Sequence, residues 1–256
     1  MIKIISGFSG PGGSTIAFNT LTNLFNSRGL SSCFYGPSKW DGITCKFSSL
    51  NELNLSKEDI LIYHFLPITD KFICRKQILS CHESVVFEIN KIPGLIFDKV
   101  HFVSESQKKF QNVDGVVIPN PIRKFTKKEK NFKVAGIIGS IDPNKRVHDS
   151  ILAAKRDGFR DIRLYGNLTD YGYFVNNVLP LLSDEVTYRG VASDMDNVYS
   201  QLSHVYHSPI RETFNLVKPE CINAGVTYVG NQGNDTMAEY WDDDRIFESW
   251  KKLLLS

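Results

Sequence analysis

Short apolar runs alternate with amphipathic stretches along almost the whole chain of 256 residues. The runs, such as residues 2–6 and 60–65, lack the in–out alternation of strands with one solvated face, which is typical of strands covered by helices on both sides. This pattern predicts an α/β fold built on parallel sheets. Further strands are predicted at residues 32–35, 85–88, 101–103, 115–118, 134–138, 162–165, 186–188, 204–207 and 226–229. Helices are predicted at residues 14–28, 147–156, 171–182, from 194, from 214 and at 246–255.

A polar stretch rich in proline and lysine, residues 119–131, interrupts the alternation. Such a shift in composition predicts a linker. We therefore expect an N-terminal domain at residues 1–122, a second domain at 132–238, and a C-terminal helix within 239–256 that packs back on the body. Ligands of such sheets bind at the carboxyl ends of the strands, so we expect the site in a cleft between the domains. The linker's basic residues leave peripheral contact with an anionic membrane open as an alternative to simple solvation.

The composition excludes several classes of protein. Thirty Lys and Arg against 28 Asp and Glu give a net charge of +2, too balanced for a dedicated nucleic-acid binder. Five cysteines without a C-x-x-C pair predict reduced thiols rather than disulfides or a zinc site. The six histidines show no metal-ligand spacing. With no apolar run long enough to span a bilayer and no signal-peptide pattern, the sequence predicts a soluble, cytoplasmic protein.

Residues 208–225, SPIRETFNLVKPECINAG, contain two glutamates separated by seven residues, a phenylalanine two after the first, and a turn that ends in Gly225. This segment resembles the donor-site motif of retaining GT-B glycosyltransferases of family 4. Three other pieces are similar to that family: residues 117–122, the glycines 136 and 139 followed by Lys145, and the strand ends before Gly166 and Gly190. The resemblance spans most of residues 100–230, whereas the N-terminal domain matches only in its glycine loop and general pattern.

The resemblance implies a GT-B fold, in which two Rossmann-like domains face a cleft, here with a shortened N-terminal domain. It also implies transfer of a sugar from a UDP- or GDP-linked donor to an acceptor hydroxyl, such as that of a glycan, with retention of anomeric configuration and without a metal or other cofactor. A nucleotide-sugar epimerase on the same fold and a sugar-nucleotide-binding module without turnover are the alternatives. The base, the sugar and the acceptor are not fixed by this sequence.

The family motif assigns roles to three positions. It places Glu212 at the donor sugar as the catalytic carboxylate, Glu220 at the ribose hydroxyls, and Lys145 at the diphosphate, where charge develops in the transition state. Arg146 is a candidate substitute for the arginine that relatives carry where this chain has Ser140. In the alternative interpretation, Glu212 and Glu220 are ordinary helix charges and Lys145 is an ordinary loop lysine.

A helix from residue 214 would place the backbone N–H groups of Thr213, Phe214 and Asn215 at its N-terminus, where they would bind a sugar diphosphate. The glycine loop at residues 7–15, GFSGPGGST, would let the backbone at Gly12 and Gly13 approach the donor phosphates, unless it is a simple tight turn. Glycine at position 13 excludes a P-loop, which requires lysine there.

His64, at the end of a predicted strand, is a candidate contact for sugar or acceptor, with a core histidine as the alternative. Asp194 and Asp196 form a D-x-D sequence, but no strand precedes it, and Ser193 with Asp196 predicts a helix capping box instead of a metal site. The acidic run at residues 242–244 is interpreted as a solvated segment before the last helix. A dinucleotide site is rejected because no acidic residue ends the second strand.

Overall fold

The computed structural model describes residues 1–83, 88–129, 132–230 and 240–256. The chain forms two compact units, Met1–Ile122 together with Met237–Ser256, and Arg123–Thr236. Each unit has its own sheet, of seven and five strands, and every strand pair in both is parallel. The predicted α/β class is therefore confirmed. The predicted strand 85–88 falls mainly on residues 84–87, outside the described ranges. No helix in those ranges is both long and apolar enough to cross a membrane.

The strands of the first unit are β1 Ile2–Ser6, β2 Ser32–Gly36, β3 Phe47–Ser49, β4 Ile60–His64, β5 Lys76–Cys81, β6 Lys99–Phe102 and β7 Val116–Val117. Their order in the sheet is β3-β2-β1-β4-β5-β6-β7. Strands β3 and β5 were not predicted. In β5 the buried polar side chains of Gln77 and Ser80 interrupt the apolar run by which a strand is recognised. The helices of this unit are α1 Gly13–Ser27, α2 Glu105–Gln111 and the C-terminal α7 Asp243–Leu255, and short 3₁₀ turns lie at Leu50–Glu52 and Ile89–Lys91.

The C-terminal helix α7 belongs to the core of the first unit. Its Trp250 is buried and meets the ring of Phe25 of α1 edge-on, 5.9 Å between centroids. The Lys76 ammonium donates to the carbonyls of Leu253 and Leu254, both at 3.0 Å, which satisfies acceptors that a helix end leaves open. At the other end, the Asp242 carboxylate accepts from the Arg245 N–H. Asp242 is therefore the N-cap of α7 rather than part of a merely solvated run.

The strands of the second unit are β8 Ala135–Ile138, β9 Ile162–Tyr165, β10 Val186–Tyr188, β11 His204–His207 and β12 Thr227–Gly230. Their order in the sheet is β10-β9-β8-β11-β12. The ends of β8 and β9 approach so closely that a Cβ at Gly166 would lie 1.7 Å from the carbonyl oxygen of Gly139, which explains the glycine after β9. The helices are α3 Val147–Arg156, α4 Tyr171–Tyr173, α5 Met195–Ser200 and α6 Val217–Ala224.

Two helix predictions in this unit need correction. The continuous helix predicted at 171–182 is α4 followed by a π-helical turn, Phe174–Val178, and a 3₁₀ turn, Leu179–Leu181, where Pro180 has no N–H to continue an α-helix. Helix α5 is capped by Asp194, which accepts from the Asn197 N–H at 3.0 Å, and not by Ser193. Asp196 instead accepts from the backbone N–H of Thr126, so both aspartates hold the protein's own backbone.

Candidate functional site

Two loops of the second unit, residues 139–146 after β8 and 208–216 after β11, are joined by Asn144. The strands themselves are neighbours in the sheet, so both loops leave its carboxyl edge side by side. The Asn144 side chain accepts from the N–H of Arg211 and donates to its carbonyl, both at 3.1 Å, and its own carbonyl accepts from the Ile210 N–H at 2.7 Å. These three bonds bring Lys145 and Glu212 together. Asn144 was not singled out from the sequence, because this pairing depends on tertiary structure.

The predicted diphosphate lysine and the predicted catalytic glutamate form an ion pair. The Lys145 ammonium lies 2.5 Å from Oε1 of Glu212, whose side chain is only 9% exposed. Burial would raise the pKa of Glu212, but the charge of Lys145 and the neighbouring His207 outweigh burial and hold the pKa below its ordinary value. Glu212 is therefore ionised at neutral pH. Its cationic partner, Lys145, is a group that a phosphate would also attract.

The loop that carries Lys145 is organised by Asp142. One carboxylate oxygen of Asp142 accepts from the Lys145 backbone N–H at 3.0 Å, and the other accepts from the Ser140 hydroxyl at 2.5 Å. Ser140 thus holds the loop through Asp142, and it does not present the positive charge that an arginine at this position would carry. Arg146 has left-handed backbone geometry, φ 45°, and its guanidinium pairs with Asp149 of α3 rather than with Glu212. The structure therefore brings Lys145 to Glu212 and leaves Arg146 beside the site.

His207, the last residue of β11, is a site residue that the sequence analysis missed. Its side chain is 4% exposed, and Nε2 lies 3.2 Å from Oε1 of Glu212. The ring N–H is not aligned with that oxygen, so Nε2 has no hydrogen-bond partner among the described residues. Its other nitrogen, Nδ1, lies 3.3 Å from the hydroxyl of Tyr228. The available sequence signal was its position at the carboxyl end of a buried strand, five residues before Glu212.

The backbone N–H groups predicted to bind an anion, those of residues 213–215, lie before the first turn of the helix and not within it. Helix α6 begins at Val217, not at 214, and its first N–H groups, those of Val217 and Lys218, donate to the side-chain oxygen of Asn215 at 3.0 and 3.2 Å. Asn215 therefore caps α6 with its side chain. Thr213 and Phe214 precede the helix, and Phe214 is buried.

Glu220, the residue predicted to bind ribose, is held by protein groups on both carboxylate oxygens. Arg123 donates from Nε to Oε1 at 2.7 Å and from Nη2 to Oε2 at 2.9 Å, and the Tyr199 hydroxyl donates to Oε2 at 2.9 Å. The Glu220 side chain is 2% exposed. Burial lowers the pKa of Arg123, but Glu220 outweighs burial and raises it. The geometry is that of a buried anchor between α6 and residue 123, and the ribose role stays a prediction.

The remaining predicted site residues lie in the first unit. Gly12 precedes α1 without a side-chain cap, Gly13 is its first residue, and a Cβ at Gly12 would approach the ring of Phe8 to 3.0 Å. His64 is 3% exposed and its Nδ1 lies 3.1 Å from the carbonyl of Ser80, which is the position expected of a core histidine, the alternative to a sugar or acceptor contact.

An open cavity of about 490 Å³ lies on one side of the loop after β8. Pro143, Arg146, Tyr173 and Ile210 are among its lining residues, but neither Lys145 nor Glu212 lines it. The cavity is therefore a groove beside the ion pair, and the chemistry of the site rests on the pair and not on this groove.

Comparison with solved structures identifies the fold. The chain is similar to the Anabaena protein HepE in complex with UDP-glucose, with a TM-score of 0.71 and 13% identity, covering 98% of this chain and 89% of that one. It is also similar to AviGT4, a glycosyltransferase involved in avilamycin A biosynthesis (TM-score 0.62, 16% identity, 99% and 88% covered). A third similar structure is WaaG, a glycosyltransferase involved in lipopolysaccharide biosynthesis (TM-score 0.60, 12% identity, 100% and 91% covered).

No protein-family model and no curated protein sequence matches the chain. The structural likeness and the two parallel sheets confirm the predicted GT-B fold. At these sequence identities the structural similarity shows only that the fold is shared, so membership of glycosyltransferase family 4 stays a prediction.

Proposed function

We propose that this protein is a glycosyltransferase that moves a sugar from a nucleoside-diphosphate sugar to an acceptor hydroxyl, with retention of anomeric configuration. The observation that carries the proposal is the ion pair of the half-buried Lys145 with Glu212 at the carboxyl edge of the second sheet. The similarity to HepE, whose structure holds UDP-glucose, supports the donor class.

Each member of the pair suits one side of the reaction. Transfer of a glycosyl unit passes through a state in which a diphosphate departs and the sugar ring gains positive charge. Lys145 supplies a fixed cation for the diphosphate, so the proposed chemistry needs no metal. Glu212, ionised and nine-tenths buried, supplies the negative charge for the ring, where a poorly solvated carboxylate acts more strongly than it would in water.

The test separates binding from turnover with two variants of the pair. Lys145→Met keeps the aliphatic stem but loses the charge, and it should weaken UDP binding roughly 10- to 100-fold in calorimetry, as expected for a lost charged hydrogen bond. Glu212→Gln should leave UDP affinity nearly unchanged and reduce UDP release from the active donor at least about 100-fold, because its charge acts mainly on the transition state. Glu185→Gln, which changes an exposed carboxylate of the same unit paired with Arg160, is the matched control and should alter neither quantity.

A panel of UDP and GDP sugars, with and without a chelator, gives the remaining outcomes. We expect turnover that survives chelation and, with an acceptor, a product whose anomeric coupling in NMR matches that of the donor. An epimerised donor would favour the epimerase, and binding without turnover would favour the binding module. Failure of every UDP or GDP donor and nucleotide to bind would refute the proposal.

A further inference from the structure

His207 presents a buried polar atom that the described structure leaves without a partner. Nε2 of His207 points into the site near Oε1 of Glu212, and the side chain is almost fully covered. A buried donor without an acceptor costs about 1–3 kcal/mol, and most buried polar groups are paired. An orphaned atom beside the proposed catalytic carboxylate therefore suggests a partner that is acquired during function.

A chain of hydrogen bonds reaches His207 from the start of α6. The amide oxygen of Asn215 is engaged by the N–H groups that open α6, and its NH₂ group donates to the Tyr228 hydroxyl at 2.8 Å. The Tyr228 hydroxyl lies 3.3 Å from Nδ1 of His207, and it can donate to Nδ1 while it accepts from Asn215. In the neutral ring with Nδ1 as acceptor, Nε2 bears the hydrogen, and this is the tautomer that the inference requires.

We propose that His207 is a positioning residue that takes over Oε1 of Glu212 when Lys145 turns to the donor diphosphate. The inference rests on the proposed function. Lys145 and His207 both face the same carboxylate oxygen, at 2.5 and 3.2 Å, and only the lysine is aligned with it in this structure. A diphosphate competes for the lysine, and a small turn of the imidazole then aligns its Nε2–H with Glu212.

The exchange matters because Glu212 is buried. Lys145, from the loop before α3, and His207, from the end of β11, are two titratable groups that lower the pKa of Glu212. Without His207, recruitment of Lys145 to the diphosphate removes both of these contributions, so the pKa of Glu212 rises. Turnover is then lost at mildly acidic pH, where the wild-type protein keeps its charge on Glu212.

Two amide substitutions test this role. Glutamine places its NH₂ group close to the position of Nε2, whereas asparagine reaches only to that of Nδ1. His207→Gln should keep kcat/KM within about threefold of wild type, and His207→Asn and His207→Phe should lower it roughly 10- to 100-fold, the effect of one lost hydrogen bond to a charge. In the Asn and Phe variants the acid limb of the pH profile should move up by about one pH unit, with UDP affinity unchanged. His204→Gln, at the other end of the same strand, is the matched control and should leave the profile unchanged.

The expected ¹⁵N NMR spectrum of histidine-labelled protein shows His207 protonated at Nε2, with His207→Gln used to assign the signal. A ring protonated at Nδ1 would overturn the inference, as would an unmoved acid limb in both the Asn and Phe variants. If His207→Phe does not fold, the Gln and Asn pair decides alone, and equal activity of these two would also overturn it. A wild-type protein that turns over no donor would defeat the proposed function and this inference together, whereas an active wild type with unshifted variants defeats the inference only.

Discussion

Lowering the pH from about 7.5 to about 5 should destabilise the first unit through three buried histidines. His64, His82 and His101 meet around Ser80 at the carboxyl ends of β4, β5 and β6, and we call these four residues the histidine cluster. His101 donates from Nε2 to the carbonyl of Ile118 at 2.7 Å, so its Nδ1 accepts from the Ser80 hydroxyl at 2.8 Å. Protonation of His101 would require Nδ1 to give up that acceptor role.

Burial lowers the pKa of both His64 and His101 to about 4, and it lowers the pKa of His82 well below 6.5. The phenyl ring of Phe18 packs against His64 and His82, and the indole of Trp250 packs against His101 at 4.4 Å. Within the described ranges, the titratable groups that shift these pKa values are the other histidines of the cluster, and the carbonyls of Ser80 and Ile118 partly oppose the shifts.

The direction in which stability changes with pH depends on whether the folded or the unfolded state binds the proton more tightly. Because the folded pKa lies below the unfolded value of 6.5, the unfolded chain takes up protons first, and stability falls as the pH drops from about 6.5 towards 4. At pH 5 a histidine with a folded pKa near 4 costs about 2 kcal/mol, so His64 and His101 together cost about 4 kcal/mol. That loss is a large part of the 5–15 kcal/mol that typically holds a domain together.

Tryptophan fluorescence during urea unfolding is a selective assay, because all three tryptophans, at positions 40, 241 and 250, belong to the first unit. The unfolding free energy from this signal should fall by at least about 4 kcal/mol between the two pH values, because His82 adds to the loss from His64 and His101. His101→Gln should remove about one proton from the pH dependence, whereas His148→Gln, a change in the second unit, should leave it intact. A loss below about 0.5 kcal/mol, or an unchanged pH dependence in His101→Gln, would refute the reasoning.

Two further predictions concern the second unit, and hydrogen exchange read peptide by peptide measures both. Gly166→Ala should destabilise the second unit by about 3 kcal/mol or more, since the added Cβ meets the carbonyl of Gly139. The Cβ added in Gly190→Ala meets nothing within 4 Å, so this variant should cost only about 1 kcal/mol. Equal costs would contradict the steric reason. Glu220→Ala should cost about 3 kcal/mol because it leaves the half-buried Arg123 guanidinium without its carboxylate. The double variant Arg123→Met with Glu220→Met should be nearly neutral, and equal losses in the two variants would contradict an ion-pair anchor.

Much of the second unit was predictable from local signals. The bounds of α3, β9, β10 and β11 agree with those read from apolar runs and the residues that end them. A motif indicated Lys145 and Glu212 because it fixes them relative to glycines and strand ends, and the structure pairs the two side chains, while their roles stay predictions. Asn144 and His207 were not found, because their importance lies in what they touch across two loops, and neither spacing nor periodicity encodes such contacts.

The errors have physical reasons too. The start of α6 was set three residues early because the apolar Phe214 was taken as helical, although Asn215 is a preferred N-cap residue. Strand β5 was missed because it contains two polar residues, Gln77 and Ser80, that are nevertheless buried. Gln77 accepts from the Phe72 N–H, and Ser80 hydrogen-bonds to the histidines of the cluster. In each case a hydrogen bond overrode the preference that the residue type suggests.

Glu220 is where the motif and the structure differ most, and the double variant can separate its two roles. The family resemblance places this carboxylate at ribose, whereas here Arg123 and Tyr199 hold it within the second unit. A single substitution confuses the two, because an unpaired Arg123 destabilises the same unit in which UDP would bind. Replacing both charges by methionine removes the carboxylate without leaving a buried charge behind. If the double variant folds and its UDP affinity falls roughly tenfold or more, Glu220 contacts the nucleotide in addition to pairing with Arg123. If UDP affinity is unchanged, Glu220 is an anchor alone, and ribose recognition belongs to other residues.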